Sequence, residues 1–398
     1  MLRSVFRGLN SSTVSLENGA SLFVGNMTVE SGSYNLILGT NGTASVSGEK
    51  LTIVQGASLT LGDQGNNVTR KVSLGFKQIS VGGSLKFYTT GAHSWSSLTF
   101  EEGGNLHFID GTGSQEVPHI SIGMVNVAGN ASITSEWDKK LKIDSLSGKG
   151  TLSVTGATYA GDRFRVSIGD VSAYSGTATF NNGNNGLTVN LTGNTSVNSE
   201  AKLVFNSGVT VNNTGTLTLD GEIVLSGGIN NTGTISVTES VKFDISQMTA
   251  AENVYTFVSG GTVTDSWSKL DRSNFSRNGN DLSRGAFSNT GNLGEITFVS
   301  EASKTLTWSG QSGTWDYNNS QSWKDSSDAV EKFYTNDSVV FDTENASVTV
   351  SGTVIPAFMT VSKATAFSGT GTVKVANSAL TIADGTSLTL GEGVLLYF

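Results

Sequence analysis

Apolar and polar residues alternate in short runs throughout the chain. Examples are Ser21-Leu22-Phe23-Val24, Ser58-Leu59-Thr60-Leu61, Ser84-Leu85-Lys86-Phe87, Asn105-Leu106-His107-Phe108, Thr151-Leu152-Ser153-Val154, Thr216-Leu217-Thr218-Leu219 and Ser387-Leu388-Thr389-Leu390. A period of two places one face of each run in a core and the other in water, which predicts half-buried β-strands. Gly, Asn or Asp bound the runs, as tight turns require.

The runs recur. Asn212-Asn213-Thr214-Gly215-Thr216 returns as Asn230-Asn231-Thr232-Gly233-Thr234, and the aliphatic positions that follow also match: Leu217 with Ile235, Leu219 with Val237, Ile223 with Val241. A looser series is Gly56-Ala57-Ser58-Leu59, Gly82-Gly83-Ser84-Leu85 and Gly103-Gly104-Asn105-Leu106. Spacings of about 18–26 residues suit a coil of short strands better than a propeller blade of about 40. The pattern therefore predicts an all-β protein, a right-handed parallel β-helix (β-solenoid), over residues 1–245. About 11–12 coils at about 4.8 Å each make a stack roughly 55 Å long. Paired Asn at 66–67, 181–182, 184–185, 212–213 and 230–231 either stack as side-chain amide ladders or occupy left-handed turn positions.

The rhythm changes near Asp244. Residues 246–304 read as a loop-rich junction, with a short helix over Ser246–Asn253 and a non-repetitive stretch from Asp265 to Arg284 that contains Trp267. A second β-helical segment is expected from about residue 305. There Trp308, Trp315 and Trp323 lie close together, each near Gly, Ser or Asn. They either bury their rings as a cap over the first coil or expose them as a platform for a glycan.

Composition narrows the function classes. Gly numbers 49, Ser 55, Thr 47 and Asn 33, close to half of 398 residues, and such richness would suit a disordered tract if the hydrophobic 36% were not so regularly placed. Two prolines suit strands that must all donate to a ladder. The absence of cysteine excludes disulfides and thiolate metal sites. A net charge of -9 argues against nucleic acid as a partner. No apolar run is long enough for a spanning helix.

Residues 305–398 carry, in order, Leu306-Thr307-Trp308-Ser309-Gly310, Ser312-Gly313-Thr314-Trp315-Asp316, Gln321-Ser322-Trp323, Asn336-Asp337-Ser338-Val339-Val340-Phe341-Asp342, Val348-Thr349-Val350-Ser351-Gly352, Met359-Thr360-Val361 and Phe367-Ser368-Gly369-Thr370-Gly371. This series resembles the autotransporter-associated beta-strand repeat of bacterial passenger regions. Asn336-Asp337-Ser338 stands where the resemblance leads one to expect Gly-Asp-Ser. The resemblance implies a secreted protein of the bacterial cell surface, an adhesin or structural rod whose partners are host or environmental glycans or surface proteins. Met1–Gly8 lacks the apolar core of a signal peptide, and no terminal series of barrel strands follows. The expectation is a fragment of a longer reading frame, touching a membrane only through a barrel outside this chain.

Equipment for catalysis is sparse, so no catalytic, cofactor-binding or metal residue is assigned. The alternatives weighed are a polysaccharide lyase or hydrolase and a phage tail-spike shaft. Asp162-Arg163-Phe164-Arg165 offers a carboxylate beside arginines, as a lyase base site would. His93, His107 and His119 fall in three repeats, and stacked coils could bring two together, although His107 shares its strand with Leu106 and Phe108 and should face solvent. Asp337-Ser338 has no histidine near it in sequence to activate a nucleophile.

Overall fold

A computed structural model of the chain describes residues 3–6, 12–62, 70–88, 93–109, 119–136, 139–157, 164–184, 186–248, 254–270, 272–276, 284–289 and 293–398. It divides into two compact units. One comprises Met1–Asn274 with Asn289–Glu295, the other Phe275–Ser288 with Ile296–Phe398.

The first unit is a parallel β-solenoid. A twelve-stranded sheet, here sheet I, takes one strand from each coil, from Arg3–Phe6 through Gly42–Ile53 and Lys140–Gly148 to Val258–Ser259. Sheet II takes the intervening strands, from Ser12–Leu16 to Lys242–Asp244. Several of the period-two runs are these strands: Ser58–Leu61, Ser84–Phe87, Gly104–Phe108 and Thr151–Thr155 lie in sheet II with Leu, Phe and Val inward, whereas in Ser21–Val24 the expected alternation fails and Leu22 and Phe23 are exposed. Identical faces then stack. Met27, Leu51, Ile79, Leu98, Val125 and Leu146 form one interior column of sheet I, each no more than 2% exposed. In sheet II, Phe180 stacks on Phe205 with ring centroids 5.0 Å apart. Each coil thereby covers the apolar face of the one before it, which is how a solenoid builds a core from units that cannot bury one alone.

Two strands per coil enclose a core only because the strands of sheet I bend. Gly42–Ile53 turns Ala44, Val46 and Gly48 inward and then Leu51 and Ile53, so Glu49 and Lys50 both face out at a corner. Beyond residue 190 the second limb becomes a separate sheet III of Thr195–Val197, Thr216–Leu219, Thr234–Val237 and Thr262–Val263. The repeated Asn-Asn-Thr-Gly corner lies between sheets I and III, where coils are 18 residues apart in register. A Cβ on Gly215 would sit 2.0 Å from the Gly193 carbonyl oxygen, and one on Gly233 2.0 Å from that of Gly215. The motif therefore keeps glycine because successive corners nearly touch.

The solenoid continues past the expected break at residue 245. Val258–Ser259 pairs with Ile229–Asn230, and Thr262–Val263 with Thr234–Ile235. Of the expected helix, Ser246–Met248 is a turn and residues 249–253 lie outside the described residues. The helical residues described are two 3-10 turns, Asp265–Lys269 and Arg272–Asn274. These finish the first unit. Trp267, 2% exposed, packs on Phe243 and Phe257 at 5.7 and 5.5 Å. The Ser266 hydroxyl accepts the Val237 amide, and the Asn274 amide donates to the Glu239 and Val241 carbonyls. Edge groups that another coil would have satisfied are thus met by side chains.

The second unit is also a parallel solenoid, with three strands per coil. Ser338–Phe341, Ala346–Val350 and Thr353–Val354 lie under Met359–Val361, Thr365–Gly369 and Thr372–Lys374. Its first coil, Thr305–Trp308 and Ser312–Trp315, is extended by a hairpin. Trp323–Lys324 pairs antiparallel with Thr307–Trp308, and Val330–Glu331 antiparallel with Trp323–Lys324.

Candidate functional site: outward columns and buried polar clusters

The three tryptophans of the second unit are interior. Trp308 is 2% exposed and Trp315 and Trp323 are 0% exposed. Trp323 meets Trp308 and Trp315 edge to face at 5.0 and 5.4 Å, and Trp315 contacts Phe333, Phe341 and Phe367 within 5.7 Å. A glycan platform needs a ring face in water, and these rings present none. They pack as the cap of the first coil. All three indole N–H groups are buried without a hydrogen-bond partner, consistent with packing against ring faces.

Asp337 is fully buried, and every lone pair is engaged. It accepts Arg284 Nε and Nη2 at 3.2 and 2.8 Å and the Lys304 and Tyr334 amides at 2.9 Å each. Arg284 also donates to Glu331 at 2.9 Å and lies 4.6 Å above the Tyr334 ring. Lys304 bonds Glu331 and, at 3.3 Å, Asp325. Burial opposes ionisation of Glu331, yet Lys304 and Arg284 hold its carboxyl below the usual range. A carboxylate so occupied at Asp337 has no capacity to take a proton from Ser338. The cluster is a clasp between residues 284, 304, 331 and 337, which sequence alone had no means of pairing.

His93 and His107 do not meet. His93 points into the core of sheet I, 3% exposed, with Phe87 4.9 Å away. The Leu74 amide donates to its Nδ1 at 3.0 Å, and Trp95 Nε1 donates to the Leu74 carbonyl at 3.0 Å. Burial pushes the His93 pKa down to about 4, so the ring is neutral with its proton on Nε2, which has no partner. His107 faces outward from sheet II, 3.0 Å from Glu136. The His119 side chain lies outside the described residues, as do Asp162 and Arg163. Phe164 is a core residue of sheet I and Arg165 faces its outer side. Among the described residues no three His, Asp or Glu are grouped to hold a metal ion.

Amide ladders form at the repeated corner. Asn190, Asn212 and Asn230 bond in series on the outside at 2.8 and 3.1 Å. Asn213 and Asn231 do so inside, at 2.8 Å, and their side chains also hold Gly215 and Gly233. Asn181 and Asn206 bond in a further outer ladder at 2.6 Å. Asn66 and Asn67 lie outside the described residues.

The outer face of sheet II carries two columns of differing chemistry. One outward column reads Thr13, Asn35, Thr60, Lys86, His107 and Thr134. Beside it runs Ser15, Ile37, Gly62, Tyr88, Ile109 and Glu136. Gly62 leaves a notch between Ile37 and Tyr88, and the two columns line a groove of about 370 Å³. Comparison with family models, curated proteins and solved structures finds no match. No helix among the described residues is long and apolar enough to cross a membrane.

Proposed function

We propose that the chain is a non-enzymatic bacterial surface β-solenoid of the autotransporter passenger type, acting as a structural rod or adhesin. The observation that supports this best is the continuous parallel stack of the first unit. Twelve strands of sheet I at about 4.8 Å give a length of about 50 Å. Its outside carries Ser, Thr and Asn in repeated columns, where weak contacts add through multivalency. The buried Asp337 carboxylate is fully hydrogen-bonded by Arg284, Lys304 and Tyr334 and serves the fold. The test is antibody staining of intact producing cells, together with adhesion of beads carrying the protein to glycan-coated and protein-coated surfaces. Surface stain with selective bead adhesion is expected. Stain only after the cells are permeabilised would overturn the surface reading. Turnover of a polysaccharide, lost in Asp162→Ala, would replace it with the lyase reading.

A further inference from the structure

We propose that the groove on sheet II binds an acidic sugar of a glycan chain, its carboxylate at Lys86 and its ring against Tyr88. The proposal rests on the surface reading above and names a site and a ligand class for it.

Charge is the first argument. The chain carries -9, yet the described residues lining this groove include one cation and no acid. Lys86 has no ion-pair partner among the described residues, unlike Lys77 with Glu49 or Lys142 with Asp144. His107, next in the same column, is already held by Glu136. Lys86 is therefore the unneutralised charge of the column, and an anion is its complement.

Shape and polarity give the sugar. Gly62 opens a notch flanked by the Tyr88 phenol and Ile37, with Ile109 beyond, so one wall is apolar. Asn35, Thr60 and Lys86 on the neighbouring column make the other wall polar. A pyranose has the matching asymmetry: a C–H face for an aromatic ring and a rim of hydroxyls for amide and hydroxyl groups. A volume of about 370 Å³ lies near the lower end of small-ligand sites, about 300–1,000 Å³. That favours a short stretch of glycan over a long one.

A peptide fits less well. The strands under the groove, Ser33–Leu38, Ser58–Leu61 and Ser84–Phe87, are paired on both sides. No ladder edge is open there for strand addition, the usual route by which a sheet takes an extended peptide. Recognition has to run through side chains.

The test uses the full chain with three probes: a hyaluronan hexasaccharide, with a carboxylate on alternate sugars, neutral N-acetylchitohexaose, and hexa-aspartate. Binding is read by titration calorimetry. The acidic saccharide should bind at least tenfold tighter than either control. Lys86→Gln and Tyr88→Ala should each weaken it at least tenfold, Lys86→Arg should restore it, and Lys142→Gln should leave it unchanged. Unchanged amide hydrogen exchange in the core columns shows that each variant is folded. No binding by the wild type, equal binding of hexa-aspartate, or binding that survives both variants overturns the groove assignment. Saccharide binding that survives both variants does so while leaving the surface reading standing. Negative staining of intact cells overturns the surface reading whatever the groove binds.

Discussion

In the first unit Asn213 and Asn231 are buried, one above the other, with their amides bonded to each other and to the corner glycines. In the second unit Asn318, Asn336 and Asn345 stand alone with φ of 47, 69 and 56°, in the left-handed region. The residue type is the same and the cause of its presence differs. A ladder needs asparagine at matched register in the next coil, so it follows the 18-residue repeat. A left-handed turn needs only local tolerance of positive φ, so it appears once, wherever the chain reverses. The two cores differ in the same way. Aliphatic columns that repeat from coil to coil fill the first, whereas one convergence of Trp and Phe starts the second. The second also stacks aliphatic columns, such as Leu306, Val339 and Met359, but all three of its tryptophans gather at its first coil.

The largest test of that contrast is Trp315→Ala. Truncating a fully buried indole should cost about 3–5 kcal/mol in denaturant unfolding. Hydrogen exchange should rise over 305–350 and stay unchanged in the column from Met27 to Leu146. Equal loss of protection in both would show one cooperative core and break the comparison.

The exception within the first unit is His93, a polar group among aliphatic columns. Its folded pKa of about 4 lies below the ordinary 6.5, so the unfolded chain takes up the proton first. The stability it supports is complete above pH 6.5, falls as pH drops toward 4, and changes no further below that. A depression of this size corresponds to about 3 kcal/mol. Urea unfolding at pH 7 and 4.5 should show a steeper loss in the wild type than in His93→Gln. The two proteins should differ by roughly 2–3 kcal/mol over that range. Parallel curves would mean that His93 is solvated.

Much of this was legible in the sequence. Leu59, Leu85, Leu106 and Leu152 point inward as the alternation requires, and the spacing of the two Asn-Asn-Thr-Gly motifs is the coil register itself. The bend at Gly48–Leu51 was not, because two successive outward residues read as noise in a period-two run. His93 carried a usable signal, since it is in phase with Trp95 and both face the core. The cap formed by Trp267 and Asn274 carries no such signal, because cap residues obey no repeat. The pairing of Arg284 with Asp337, 53 residues apart, has no local signature.

A smaller test separates the two faces of the asparagine corner. Asn231→Ala removes one of three acceptors of the Asn213 amide and the acceptor of the Gly233 amide, whose loss should cost about 1–3 kcal/mol. Asn212→Ala removes bonds to Asn190 and Asn230 in an outer ladder, where water replaces them, and should stay within about 0.5 kcal/mol. Thermal melts of the two variants should therefore differ clearly. Similar values would mean that the inner pair is no more important than the outer one.

The smallest expected effect concerns Asn336, at a left-handed turn of the second unit. With φ of 69° its backbone is one that glycine adopts freely and that most side chains resist. The turn matters because the next residue is Asp337, whose carboxylate receives Arg284. Asn336→Gly should keep stability within about 0.5 kcal/mol, a gain in backbone freedom for the unfolded chain offsetting relief of strain in the folded one. Asn336→Ala should cost about 1 kcal/mol, the ordinary penalty of a Cβ in the left-handed region. Denaturant midpoints of the three proteins, in the order Asn and Gly together and Ala below, would show that conformation alone selects the residue. A Gly variant as weak as Ala would show instead that the Asn336 amide holds the turn through its own hydrogen bonds, and the turn would then be closer to the ladder corner of the first unit than its geometry suggests.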